Sequence, residues 1–263
     1  MKTALEILSD KKLFPNDLTS AQIRRLAASM RNRAIFSAKT SSAPYLREMK
    51  KTLKELADGK INEATARKQL QDCLKELGYV PGKGTSGTIE DLSSTTRTRL
   101  IAQTAVRQAR SVAQAMRGNT LDARRAYPAW RLGRIGERVQ ARLDWDERWQ
   151  DAGDSVDWDG ASRDCFIALK SSPIWEALGA GVGGYADTLQ TGYPPFAFGS
   201  GMGWVAVERD DAEGLGLIDA ETDAAEIREL SLTPTAQELN AAIKRDPSLG
   251  DDLDKMLKAF YGS

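Results

Sequence analysis

The run DWDERWQDAGDSVDWDG, Asp144 to Gly160, carries the carboxylates that a divalent-metal enzyme would use. Fitted to a calcium-binding loop, Asp157, Asp159 and Gly160 take positions three, five and six. Ser155 and Phe166 then fall at one and twelve, where the loop needs chelating carboxylates. The run therefore reads as a solvated acidic loop. The chain contains no histidine. This removes the Ser-His-Asp and Cys-His nucleophile systems, histidine zinc sites and the commonest general base near neutral pH. Cys73 and Cys165 are far apart and neither belongs to a CxxC pair, so both are expected to be buried small hydrophobes. No catalytic residue, metal or cofactor is expected.

Two glycine-rich stretches invite a phosphate-binding reading, and neither fits. In GYVPGKGTSGT only three residues separate Gly78 from Gly82, and Gly84 follows Lys83 where a phosphate loop needs Ser or Thr. The stretch reads as a linker. GAGVGG, Gly179 to Gly184, matches GxGxxG by letter, but it follows the helical IWEAL instead of a strand.

The arginines are the stronger signal. Net charge is zero, yet residues 1–142 hold 28 Lys+Arg against 13 Asp+Glu, and the remainder holds 9 against 24. Between Arg97 and Arg134 stand nine arginines, no lysine and one acid, Asp122. Guanidinium groups make bidentate contacts to phosphate or carboxylate, so Arg97, Arg107, Arg110, Arg117, Arg124 and Arg125 are candidate contacts to nucleic acid or to an acidic partner. The acidic half of the same chain is the competing partner.

Helical signals organise the first half. Thr19-Ser20-Ala21-Gln22 has the form of a capping box and predicts a helix to about Ala38. Ser42 with Pro44 opens a second, striped by Leu46, Met49, Leu53 and Leu56 and stopped by Gly59. Asn62 caps a third, with Leu70, Cys73, Leu74 and Leu77 on one face and Gly78 at its end. Residues 19–78 thus predict a three-helix unit. A long helix follows from Asp91 to Gly118-Asn119, with Leu100, Ala105, Val112 and Met116 facing a core. All six tryptophans lie between Trp130 and Trp204, which marks a second core. Cys165–Leu169 and Trp204–Val207 read as strands and SPIWEALG as a helical turn. The tail is helical again, starting at Thr233-Pro234, with Leu249, Leu253, Met256, Leu257 and Phe260 in one stripe. No run is long and apolar enough to span a bilayer, and MKTALEILSDKKLF lacks the form of a leader, so a cytoplasmic chain without membrane partners is expected.

GYPPFAFGSGMGW, Gly192 to Trp204, has no charged residue and cannot be a helix interior, since Pro194 and Pro195 lack backbone donors. Pro194, Pro195, Phe196, Phe198 and Trp204 are expected to form a stiff structural loop that plugs the core with Phe196 and Phe198, or a pre-set docking surface.

The order DLSSTTRTRLIAQTAVRQARSVAQAM, YPAWRLGRI, ALKSSPIWEALG, GYADTLQTGYPPFAFGSGMGW and AEGLGLI resembles the minor head proteins of tailed phages and prophages. These are the head morphogenesis family that includes the Mu F-like proteins. The matching order spans about Asp91 to Ile218, and YLREMKKTLKELADGKINEATARKQLQDCLKELGY is similar to the helical N-terminal part of the same proteins. Ser200, Gly201 and Met202 stand where many members carry Cys-Arg-Cys after the proline pair. The resemblance implies a nonenzymatic, low-copy virion protein of the head and portal region, active in capsid assembly in the host cytoplasm. Its implied partners are the portal protein and other head proteins, with sequence-independent contact to packaged double-stranded DNA in some relatives. The expected fold is α+β: a helical unit with a Gly-rich linker over 1–90, a minor-head-like core over 91–218 and a helical tail over 219–263. The competing functions are a divalent-metal nuclease or toxin-like effector using the acidic loop, and a general nucleic-acid-binding module.

Overall fold

The computed structural model describes residues 2–26, 34–35, 37–136, 143–158, 165–219 and 251. Within them the chain is a mixed α+β protein with short strands in small sheets. The chain divides into two compact units, one including Lys2–Ala109 and one including Arg110–Leu230. The division falls within the helix that runs unbroken from Thr95 to Gly118.

The first unit opens with α1 (Ala4–Asp10), whose Thr3 and Glu6 make a reciprocal capping box. β1 (Lys12–Leu13) and β2 (Ala34–Ile35) pair in parallel, Lys12 opposite Ala34. α2 (Ser20–Arg25) starts at the expected Thr19–Gln22 box. It stops at Leu26, whose backbone turns extended, so the helix predicted to Ala38 is cut short and β2 takes part of its place. Ala27 to Arg33 lie outside the described residues. α3 (Ala43–Ala57) and α4 (Glu63–Glu76) begin at the expected caps, Ser42 and Asn62. Each ends before a glycine of positive φ, Gly59 at 75° and Gly78 at 71°, where an L side chain would be strained. Leu8, Phe14, Leu26, Tyr45, Leu46, Met49, Leu53 and Leu70 are fully buried. Lys50 on α3 donates to Ser9 O and Lys11 O at 2.7 and 2.6 Å and so closes the end of α1. The connector over 78–90 holds neither helix nor strand and turns repeatedly over 83–90.

α5 (Thr95–Gly118) is held at its start by Ser94, whose Oγ accepts from the Arg97 amide at 3.1 Å. Its buried residues include Thr98, Ala102, Val106, Ala109, Val112 and Ala113. Leu100, Ala105 and Met116 are only half-buried, so the buried stripe is turned from the predicted one and uses smaller side chains.

In the second unit α6 (Leu121–Ala126) follows, then β3 (Ala129–Arg134), α7 (Trp145–Asp154), β4 (Ile167–Leu169), α8 (Ile174–Ala180), β5 (Met202–Val207) and α9 (Arg209–Gly214). β3 is the centre of an antiparallel sheet ordered β4-β3-β5, with Trp130 opposite Ala168 on one side and Ala206 on the other. Side chains alternate across this sheet. Ala129, Ile167 and Val207 share one face with Ala212, covered by Leu169, Leu215, Leu217 and Ile218.

Trp130 and Leu132 lie on the opposite face, where the tryptophans gather. Trp204 sits opposite Leu132, hence diagonal to Trp130, and the two indoles stack at 5.3 Å. Trp175 meets Trp204 at 5.5 Å and Trp149 at 5.4 Å, and Trp149 also meets Phe166 and Trp158. Phe196 closes the ring set, 6.1 Å from Trp175 and 6.0 Å from Trp204.

The proline–phenylalanine loop is part of this core. Pro194, Pro195 and Trp204 are buried and Phe196 is fully so, whereas Phe198 is half-buried and does not plug the core as predicted. Phe196 holds φ at 57°, which turns its ring inward while its carbonyl accepts from Leu189 N at 2.7 Å. The Ser200 hydroxyl donates to Pro195 O and accepts from Met202 N, which ties the loop to the first residue of β5. The glycines of GAGVGG close a helix: Gly181 takes the left-handed conformation at the end of α8.

The acidic run is not a solvated loop. Ten of its residues form α7, because Trp145, Trp149 and Ala152 fall at helical spacing and are buried. Asp157 takes φ of 52° in the turn after α7, where Trp158 N donates to Gly153 O, so this residue serves the helix end. Asp159 and Gly160 lie outside the described residues, as does the predicted tail over 219–263 except Asp219 and Asp251. Cys165 is exposed and Cys73 half-buried, against the expectation of two buried thiols. Cys165 sits in the turn before β4, and Cys73 lies beside the buried positions of α4.

Candidate functional site

Arg97 leaves the set of surface arginines. Its guanidinium is buried in the first unit, where Nη2 donates to Ser37 Oγ at 2.5 Å and Ala38 O at 2.9 Å, and Nη1 to Ile89 O at 3.0 Å. Burial also lowers its proton affinity. Three carbonyl and hydroxyl acceptors make it a fixed cross-link, which sequence spacing alone does not distinguish from a surface arginine. Arg107, also in the first unit, is half-buried.

The second unit gathers the rest. Arg110, Arg117, Arg125 and Arg131 are exposed, and among the described residues none of the four guanidinium groups makes an ion pair. Arg110 and Arg117 stand four before and three after Gln114 on α5, so all three lie on one side of the helix. Gln114 Nε2 donates to Trp204 O at 3.0 Å, which places that side of α5 against the outer edge of β5. Arg131 projects from the face of β3 opposite the tryptophans, paired with Val205, which is itself exposed. Arg134 was not singled out by the sequence reasoning; its Nη1 reaches Ser200 O at 3.3 Å and links β3 to the loop.

Arg124 and Arg125 ride on α6, capped by Thr120, whose Oγ accepts from Ala123 N at 3.3 Å. None of the residues of α6 is buried. At its end lies Lys170, one residue past β4. Lys170 Nζ donates to Gly118 O at 3.0 Å and to Ala123 O at 3.3 Å, and stands 4.3 Å from the centroid of the Trp130 ring. Gly118 permits this approach, since a Cβ there would come 2.6 Å from the Trp130 ring. Burial pushes the Lys170 ammonium down to about 8, and the Arg124 charge adds to the shift.

This shift has a defined sign in stability. The folded value lies below the ordinary lysine value of 10.5, so between about pH 8 and 10.5 the unfolded chain holds more protons than the folded one. The contribution of Lys170 to stability is complete above that window and is lost as the pH falls through it. Urea unfolding from pH 7 to 10.5 should therefore show wild type gaining stability relative to Lys170→Met as the pH rises. A difference that stays constant, or reverses, contradicts the assignment of a depressed value.

A second charged cluster is built from contacts within the same unit. Arg148 on α7 is buried, with Nε 2.9 Å from Asp144 Oδ2 and Nη2 2.9 Å from Asp187 Oδ1. Its guanidinium lies 4.1 Å from the Tyr185 ring centroid and 5.3 Å from that of Trp145. Burial, followed by the hydrogen bond to Asp151, pushes Tyr185 up to about 12. Each group is occupied by another of the same unit, so the cluster acts as a lock between α7 and the segment after α8.

Among the described residues no group of three or more acidic, cysteine or histidine side chains is arranged to hold a metal ion, and no helix is long and apolar enough to cross a membrane. The fold is that of an α+β protein with an arginine-bearing surface. No family model matches the chain, and neither a curated protein nor a solved structure is found similar to it.

Proposed function

We propose that this chain is a nonenzymatic minor head protein of a tailed phage or prophage, acting in capsid assembly beside the portal and touching packaged double-stranded DNA through the arginines of its second unit. The family reading rests on the order of blocks from Asp91 to Ile218 that resembles the head morphogenesis proteins. The DNA contact rests on one observation: Arg110, Arg117, Arg125 and Arg131 are exposed and unpaired, so the acidic part of the described chain does not neutralise them. Guanidinium groups held this way neutralise phosphates without reading bases.

The test is a titration of duplex DNA at several salt concentrations. Each phosphate neutralised contributes about −0.9 to the log–log slope, so four contacts give about −3.6, nearly independent of sequence. Arg110→Ala/Arg117→Ala should flatten the slope by roughly 1.8. Failure to bind DNA at low salt removes the DNA contact and leaves the portal partnership standing on its own test.

A structural role carries a second expectation. Purified protein should not turn over DNA, RNA or peptides with Mg²⁺, Mn²⁺ or Zn²⁺ added, since no histidine base exists in the chain. Hydrolysis abolished by Asp157→Ala or Asp159→Ala would replace this reading with a metal-dependent nuclease or effector.

A further inference from the structure

α6 has six residues and buries none of them, yet it carries Arg124 and Arg125. A helix of this length does not hold itself together in water, because its nucleation cost is never recovered by propagation. No apolar face supplies the missing stability, so something polar must. The Thr120 cap fixes the start. At the other end, Ala123 O accepts from Tyr127 N and from Lys170 Nζ. The same ammonium binds Gly118 O, at the end of α5, so two successive helices converge on one cation. Carbonyls at a helix end carry partial negative charge, and a cation there is stabilising. Lys170 is itself fixed: its amide donates to Pro128 O at 3.0 Å beside the β3–β4 pair, and its ammonium lies over the Trp130 ring.

We propose that Lys170 is the positioning residue for the arginine-bearing surface, joining the ends of α5 and α6 so that Arg117, Arg124 and Arg125 are presented from one fixed backbone. Lys170 touches no ligand in this role and acts through the two carbonyls it binds. Its chemistry is that of a three-donor cation with two donors on carbonyls and the aromatic face beside it. A modification that removes its donors, such as acylation of the amine, would free α6 while leaving the tryptophan core in place. The inference rests on the proposed DNA contact only for its consequence, since the joining of the two helices is a property of the protein alone.

The experiment compares wild type, Lys170→Met and Lys170→Arg by hydrogen exchange of the 119–128 segment and by the salt dependence of duplex DNA binding. Methionine keeps the apolar contact with Trp130 and removes the donors; arginine restores donors and charge. Exchange in 119–128 should accelerate at least tenfold in Lys170→Met, with exchange of β3 and β5 unchanged, and Lys170→Arg should recover most of the protection. The DNA slope should flatten in Lys170→Met, although no arginine has been removed, and recover in Lys170→Arg. Unchanged exchange in Lys170→Met overturns the proposal, as does loss of protection spread equally through β3 and β5, which would mean general destabilisation. If wild type binds no DNA, the DNA reading fails while accelerated exchange confined to 119–128 still upholds the joining role.

Discussion

Phe196→Ala is expected to lower the stability of the protein by about 3–5 kcal/mol, the cost of deleting a fully buried aromatic ring. Phe196 is 0 % exposed and its ring packs on both Trp175 and Trp204, so the cavity would open against two indoles. The backbone sharpens the test. Phe196 sits at φ 57°, a conformation that alanine shares at the same cost and glycine adopts freely. Phe196→Gly should therefore lose about 1 kcal/mol less than Phe196→Ala, although it removes more side chain. Phe198→Ala, at a half-buried position, should cost clearly less than either. Urea midpoints at constant slope measure all three. A Phe196→Ala protein that unfolds like wild type but loses a binding partner of the wild type would make the loop a docking surface.

Gly179→Ala should be as damaging, by a different route. A Cβ at Gly179 would stand 1.9 Å from Thr191 O and 2.5 Å from its carbonyl carbon. Backbone meets backbone there, so no rotamer change relieves the clash, and α8 must move off the loop that carries Phe196. The expected loss is about 3 kcal/mol or more, the upper end of overpacking. Gly214→Ala in α9 is the control, with nothing within 4 Å of the added methyl. It should leave stability unchanged or raise it by up to about 1 kcal/mol, since alanine is the better helix former. Thermal melts of the pair decide the matter; equal effects would mean that the close approach of Gly179 to Thr191 is absent in solution.

What the sequence made legible were the elements with strong local signals. α3 and α4 each have a capping side chain, an apolar stripe and a terminal glycine, and three independent cues agreed on each. The tryptophans and the proline–phenylalanine loop could be assigned to a core because no other environment suits so many large apolar groups. α7 was hidden by its own polarity. Seven of the 17 residues from Asp144 to Gly160 are Asp or Glu, which masks the Trp145–Trp149–Ala152 spacing that buries one side of the helix. β3 is masked in the sequence because Arg131 and Arg134 interrupt its apolar positions, yet alternation across a sheet lets Arg131 leave on one face while Trp130 and Leu132 enter the core on the other, and Arg134 on the tryptophan side falls at the strand's end, where it reaches Ser200 O. The role of Arg97 rests on Ser37, 60 residues away, and that of Lys170 on Gly118 and Ala123, about 50 away. Pairings at that separation leave no local pattern, so the candidate surface was legible as a set of arginines but not in which of them are free.

The proposed membership of the head assembly is tested most directly by co-assembly with a tailed-phage portal protein. Both proteins, co-expressed with the other head proteins and separated on a density gradient, should yield this chain in the fractions of portal-containing proheads at a few copies per particle. It should remain there in salt high enough to dissociate DNA contacts, since the proposed portal partnership is separate from the proposed DNA contact. Proheads of normal portal content that carry none of this chain, with the chain recovered free at the top of the gradient, would contradict the account.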